Sequence, residues 1–381
     1  MKILKNNNKL LYAKSIFLPV AAAMIYYQPV RANLLRHHNY IFFVFFTFIL
    51  SFGLVPFFHK LGNMLDITDK PGGRHHHKKV TPLTGGIPIF IAFVATTYLT
   101  LNIPTEFYGL FWSSLIILVI GVIDDIRPLP AIIKLLAQLT AIAILVKYNI
   151  VFSFFGDHLP GRILSILLTY VWIAGITNGI NCLDGMDGLA AGIAIIIGFF
   201  YFIIAKMNGN HFMANVSLIL AAAVLGFFPY NFRGKKEALI FLGDNGSTFI
   251  GFLLAALSIF GDWGTHSSID LAIPLLLLAI PITDMVMTSI FRFYSKNVRN
   301  IFELLGYTGR DHLHHRIKNL GISNRNTVLA ILFFNIIMGL LALMLKQGSL
   351  YQAIIALSIG ILLFVMLCFF IIKFDKSEES V

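Results

Sequence analysis

The run Asn178-Gly-Ile-Asn181-Cys-Leu-Asp184-Gly-Met-Asp187-Gly188-Leu189 gathers two Asn, two Asp and three Gly between apolar stretches long enough to cross a bilayer. Polar groups in such a place are costly unless they line a site. Asn, Asp and Gly also form turns, but a turn needs only two or three of them. Asp184 and Asp187 are three apart and can point the same way on a helical turn. The glycines let a ligand approach the backbone closely.

Four further constellations share this character. Asp124-Asp125 precede Ile-Arg-Pro128-Leu-Pro130 at the end of an apolar run. Adjacent carboxylates at a membrane boundary repel each other and persist where a cation or proton is handled. Lys134 and Gln138 follow on one face of the next helix. Phe241-Leu-Gly243-Asp244-Asn245-Gly246-Ser247 opens another span. Its Asp is either an N-cap or a metal ligand beside phosphate-accepting amides. A basic loop carrying Arg74, His77, Lys78 and Lys79 runs into Gly85-Gly86. Cations and free N–H groups at a helix start suit a phosphate. The run His75 to His77 lacks the Cys or spaced second His pair of a transition-metal site. Finally, Gly309-Arg310-Asp311-His312-Leu-His314-His315-Arg316 holds three His and two Arg. Zinc is the rival reading, but acidic clusters elsewhere favour a hard metal on oxygen, so this cationic cluster is assigned to a diphosphate.

The elements that must position these groups are membrane helices. Of 381 residues, 57% are hydrophobic and 12% charged, which excludes an ordinary soluble domain. Apolar runs at 41–58, 84–102, 106–123, 131–148, 163–178, 188–205, 212–229, 246–260, 270–291, 327–345 and 350–372 predict an all-α polytopic integral membrane protein of about eleven transmembrane helices. Residues 1–40 form an N-terminal extension, signal-like or interfacial. The transmembrane body covers 41–373, and 374–381 is a cytoplasmic tail. The net charge of +11 is spread over short loops, which fits membrane orientation and anionic partners rather than nucleic acid. The two Cys, Cys182 and Cys368, form no disulfide framework.

Eighteen Lys and Arg fall on one side of the body and four (Lys147, Arg162, Lys206, Lys346) on the other. The first side is therefore expected in the cytoplasm. The basic N-terminal extension runs against this pattern unless residues 15–30 cross the membrane. All five constellations lie on the cytoplasmic side. A transporter would place its carboxylates near mid-span instead.

Taken in order, these motifs resemble those of the polyprenyl-phosphate N-acetylhexosamine-1-phosphate transferases, over about residues 41–320. The form His312-Leu-His314-His315-Arg316 resembles the bacterial branch that starts O-antigen, enterobacterial common antigen or teichoic acid linkage units, more than the branch using UDP-MurNAc-pentapeptide. The resemblance implies that undecaprenyl phosphate attacks the β-phosphorus of a UDP-sugar and UMP leaves, with Mg²⁺ or Mn²⁺ bound. UDP-GlcNAc is the first expected donor, with UDP-FucNAc or UDP-QuiNAc as alternatives. By motif match, Asp187 and Asp244 hold the metal and Asp125 contributes. Asp124 acts as a base or orients the lipid phosphate, and Lys134 lies near the metal and phosphates. Asn181, Gly188, Leu189 and Phe241 resemble a uridine pocket, with Arg74, His77, Asn178 and Asp184 also on substrate. His312, His314, His315 and Arg316 close over the diphosphate or sugar. The implied setting is multi-pass in the plasma (inner) membrane with a cytoplasmic active site, compatible with a homo-oligomer. One departure is that Asn231 lies ten residues before Phe241, further than the family pattern, because of a basic insert around Arg233 to Lys236. The N-terminal extension is a second.

Overall fold

A computed structural model describes residues 39–71, 79–234, 236–261, 267–295, 311–345 and 349–374, with 17–20 and single residues at 15, 263, 298, 303 and 309. Arg74, His77 and most of the N-terminal extension lie outside the described residues. Within that extension, 17–20 is helical; Phe17 packs edge-on to Phe52, and Leu18 meets Gly53.

The chain runs α1 (Asn39–Met64), β1 (Thr68–Asp69), β2 (Thr81–Pro82), α2 (Gly86–Thr100), α3 (Thr105–Ile126), α4 (Ala131–Lys147), α5 (Leu159–Leu183) and α6 (Leu189–Met207). It continues through α7 (His211–Asn231), α8 (Gly243–Phe260), α9 (Ser267–Leu277), α10 (Ala279–Tyr294), α11 (Leu313–Asn319), α12 (Asn324–Met344) and α13 (Leu350–Phe374). The all-α membrane architecture is as expected. Among the described residues, eight helices are long and apolar enough to cross a membrane, and a bent pair, α9–α10, makes a ninth. The other two expected spans are shorter: α2 has 15 residues and α4 has 17. At 1.5 Å per residue, α2 falls short of the ~30 Å hydrocarbon core.

The run at 270–291 is not one straight span. It bends by 72° around Leu278. Pro281 has no N–H to give the carbonyl of Leu277, which would be its helical partner. Asn335 of α12 donates its side-chain amide to that carbonyl at 3.4 Å. The same device holds α1 intact: Pro56 leaves the Phe52 carbonyl without a partner, and the Tyr230 hydroxyl of α7 donates to it at 2.9 Å. In a membrane such rescue from a neighbouring helix is what makes an internal proline tolerable.

Helix α8 is the axis of the bundle, packed by α2, α3, α5 and α6 and buried along most of its length. Small residues permit that crowding. A Cβ on Gly121 of α3 would strike the Asn245 backbone, and one on Gly251 would meet Thr177 of α5 at 3.0 Å. A strap ahead of α2 also pairs with the entry to α8. Phe241 donates its N–H to Pro82 O (2.9 Å), while Gly85 and Gly86 donate theirs to Phe241 O (3.0 Å) and Leu242 O (3.1 Å). The Gly85-Gly86 amides are thus occupied by protein, not offered to a phosphate as the sequence suggested. A Cβ on Gly86 would collide with Asn245 and Gly246, so the pair serves close backbone crossing.

Candidate active site

One open cleft of about 1810 Å³ lies where the C-termini of α1, α3, α5 and α7 meet the N-termini of α6, α8 and α12. It exceeds the ~300–1,000 Å³ of a typical small-molecule site, so it has room for more than one substrate. Its lining brings together Asp124, Asp125, Asn181, Asp184, Asp187, Phe241 and Asp244 from three segments far apart in the chain, and His315 from a fourth.

The carboxylates differ sharply in what they hold. Asp125 accepts from the backbone N–H of Asp244 (2.9 Å), from that of Asn245 (3.0 Å) and from the Asn245 side chain (2.6 Å). It caps the first turn of α8 from another helix, satisfying amides that an isolated helix start leaves open. Asp244, within that turn, therefore does not cap its own helix. Asp124 accepts from Leu129 N–H (2.6 Å) and from Lys134 Nζ (2.9 Å). Lys134 also donates to Asp244 (3.2 Å), tying α3, α4 and α8 together. Asn181 donates to Asp244 (3.1 Å) and Ser247 (2.8 Å).

The turn from α5 to α6 spans 184–188. Gly188 there has φ of +82°, the left-handed conformation that glycine takes without strain. Its N–H donates to Asn231 Oδ1 (2.6 Å), and Asn231 donates onward to Ile240 O (3.0 Å). Asp187 accepts from Ala238 N–H (3.0 Å), at the end of the basic insert. The insert that departs from the family pattern thus forms part of the cleft wall, with Arg233, Lys236 and Glu237 on the lining. Leu189 is fully buried in the core and Gly188 is turned onto Asn231, so neither side of that pair faces the cleft. Asn178 stands behind it, exchanging hydrogen bonds with Gln138 of α4 (3.1 and 3.4 Å) beside a cavity of about 50 Å³.

Asp184 is the exception among the acids. Among the described residues its carboxylate accepts no hydrogen bond and forms no ion pair. Burial, and after it the charges of Asp244, Asp187 and Asp125, push its carboxyl well above the usual carboxylate range. No three His, Cys, Asp or Glu among the described residues stand close enough to hold a metal ion as arranged. Asp125 is turned onto α8, and Asp187 reaches to Ala238. In kind, however, the donor set fits a hard divalent cation: oxygen ligands only, with Asp184 given no donor by the described residues.

The His-rich segment is divided in its duties. Of the four residues expected over the substrate, His315 lines the cleft. His312 is turned inward, its Nδ1 2.7 Å from Asp284 of α10. Burial works against its charge, yet Asp284, with Cys182, holds its pKa up to about 10. His314 is buried against Gly185, and among the described residues neither ring nitrogen has a partner. Burial and then the charges of His315, His312 and Lys318 drive it well below the usual imidazole range. Arg316 donates to Asp311 O (2.8 Å) and lies over the Phe291 ring (4.1 Å). Lys318, Asn324 and Arg325 are further lining residues that sequence reasoning did not single out. Asp284 had a signal, a lone carboxylate inside an apolar run.

The model of glycosyl transferase family 4 matches residues 107–262, from α3 past α8. A probable undecaprenyl-phosphate N-acetylglucosaminyl 1-phosphate transferase of Bacillus subtilis (strain 168) is 31% identical over 315 residues, 81% of this chain and 86% of that protein. A decaprenyl-phosphate N-acetylglucosaminephosphotransferase of Mycobacterium leprae (strain TN) is 32% identical over 306 residues, 71% of this chain and 75% of that protein. A phospho-N-acetylmuramoyl-pentapeptide-transferase of Staphylococcus carnosus (strain TM300) is 31% identical over 245 residues, 56% of this chain and 72% of that protein. The helices are those of a multi-pass membrane protein. The chain belongs to glycosyl transferase family 4, the polyprenyl-phosphate N-acetylhexosamine-1-phosphate transferases.

Proposed function

We propose that the protein transfers a sugar-1-phosphate from a UDP-N-acetylhexosamine, UDP-GlcNAc first among donors, to undecaprenyl phosphate. An oxygen of the lipid phosphate bonds to the β-phosphorus, the bond between that phosphorus and the bridging oxygen breaks, and UMP leaves with the electron pair. The reaction would open assembly of a cell-surface polysaccharide. The observation that carries this reading is the juxtaposition of Asp184, Asp187, Asp244 and a flanking aromatic ring, Phe241, in one cleft, with Lys134 hydrogen-bonded to Asp244. Two relatives named for N-acetylglucosamine match more of this chain than the muramoyl-pentapeptide relative does, which favours the GlcNAc donor. The Lys and Arg asymmetry supports a cleft open to the cytoplasm, in the plasma membrane.

Mg²⁺ or Mn²⁺ would be held by Asp187 and Asp244, with Asp184 as a third oxygen donor. When bound it would neutralise diphosphate charge and ease departure of UMP. The chain's own residues do the positioning. Asp125 fixes the turn that carries Asp244. Asp124 holds Lys134 against Asp244, so its part is to place a cation; a lipid phosphate, already ionised at neutral pH, needs no strong base. Phe241 offers a face for the uracil ring. His315, with Lys318 and Arg325, supplies cationic or hydrogen-bonding groups to the phosphates and sugar.

The test is transfer by purified protein given undecaprenyl phosphate and a panel of UDP-sugars, with and without EDTA. Lipid-diphosphate sugar and UMP should form in equal amounts, best with UDP-GlcNAc and only with divalent metal. Asp187→Asn should abolish turnover in a protein that still purifies folded. Turnover without lipid phosphate, or full activity in that variant, would sink the proposal.

A further inference from the structure

Asp284 lies on α10, just past the bend of the α9–α10 pair, and is fully buried. A lone carboxylate there is expensive unless it is fully engaged. Both its oxygens are used by one short segment: Oδ2 meets His312 Nδ1 at 2.7 Å, and Oδ1 accepts from Leu313 N–H at 2.6 Å. A second pair locks the residue before. Arg292, also buried and one helical face along from Asp284, grips Asp311 with two bonds of 2.7 and 2.8 Å. Its Nη2 stands 3.3 Å from His312 Nε2. Three consecutive residues, Asp311 to Leu313, are thus pinned by α10, the first two by their side chains and Leu313 by its N–H, and none of the three lines the cleft.

The geometry points to Asp284 as a positioning residue: by holding His312 and Leu313 it sets the rotation of α11 that turns His315 into the cleft. Successive residues of α11 are about 100° apart. With Leu313 fixed and buried, His314 faces Gly185 and His315 faces the cleft. A slip of one residue would withdraw His315 and bring a different side chain to the wall. The inference rests on the transfer reading for its kinetic arm alone.

The experiment compares wild type with Asp284→Asn, Asp311→Asn and Asp284→Glu in purified protein. An Asn at 284 keeps the shape but offers an N–H where His312 or Leu313 needs an acceptor. Two readouts are taken. The first needs no activity: the rate at which a neutral maleimide labels Cys182, located by mass mapping against Cys368. Cys182 lines the cleft beside His312, so an undocked segment should expose it. The expected result is labelling at least fivefold faster in Asp284→Asn, a smaller rise in Asp311→Asn, and a return toward wild type in Asp284→Glu. The second readout is kinetic: KM for the UDP-sugar should rise about tenfold or more while KM for the lipid phosphate stays within twofold. Unchanged labelling in Asp284→Asn overturns the inference, even if the variant is less heat-stable. So does a KM effect confined to the lipid substrate. If the glutamate variant does not fold, Asp311→Asn decides on the same two criteria. A wild type without transfer activity would defeat the functional proposal and leave the labelling comparison intact.

Discussion

Replacing Asp125 by Asn separates two roles that one carboxylate could play. As a cap it accepts three hydrogen bonds from the first turn of α8. A bond to a charged acceptor contributes ~1.5–3 kcal/mol, and a buried donor left without a partner costs ~1–3 kcal/mol. The amide can keep its oxygen on the two Asn245 donors, as weaker neutral bonds, but then faces the Asp244 N–H with its own NH₂. The expected net loss is ~2–4 kcal/mol, felt where Asp244 is held. Melting in detergent should fall by about 5–10 °C. If the misplacement falls wholly on the transition state, turnover should drop about 30- to 900-fold. The apparent affinity for Mg²⁺ should stay within a few-fold of wild type. A melting curve and a Mg²⁺ titration of the transfer rate measure both. A variant melting within about 1 °C of wild type, but needing tenfold more Mg²⁺, would refute the cap and return Asp125 to the metal.

Three other outcomes follow from the same contacts. Gly86→Ala sets a Cβ into Asn245 and the Gly246 backbone; an overpacking cost of ~1–3 kcal/mol or more should appear as poor yield and a lowered melting point. Asn335→Leu strips the donor from the Leu277 carbonyl at the bend, and ~1–3 kcal/mol should be lost in thermal unfolding, whereas an unchanged melting point would mean the carbonyl finds another partner. The Asp284–His312 pair gives a pH dependence: the folded-state pKa of about 10 lies above the unperturbed 6.5. Its contribution is therefore complete below about pH 6.5 and fades as pH rises through about 10. The stability difference between wild type and His312→Gln should be constant at low pH and vanish toward pH 11; a gap that widens with pH would contradict the assigned pair.

The spans were legible because each is a plain apolar run, and every expected run became a helix or a bent pair. The bend at Leu278 was not legible. Proline occurs inside α1 and α7 as well, where the helix runs on unbroken, so the residue type alone does not mark a break. The acidic motifs announced a site, and they do meet in one cleft. Their separate duties were hidden because Asp125 finds its partners 119 and 120 residues downstream. Gly85-Gly86 shows the same ambiguity, since a glycine that admits a phosphate and one that admits a crossing helix are written alike. The His cluster was visible as a cluster, but which ring faces inward depends on Asp284, in a run that reads as membrane.

The clasp between the end of α3 and the start of α8, with the 82–86 strap laid against 240–242, also bears on how the molecule is made. The ribosome delivers Asp124 and Asp125 long before it delivers the amides that will hold them. A nascent chain stopped ahead of residue 243 therefore has membrane-embedded acids and no finished catalytic floor, so partial products are inert by construction. Conversely, nothing in the clasp requires an unbroken chain through the connection at 208–210, at the far end of the bundle. Two fragments divided there and produced together carry complementary halves of the floor, and their assembly in the membrane should restore it.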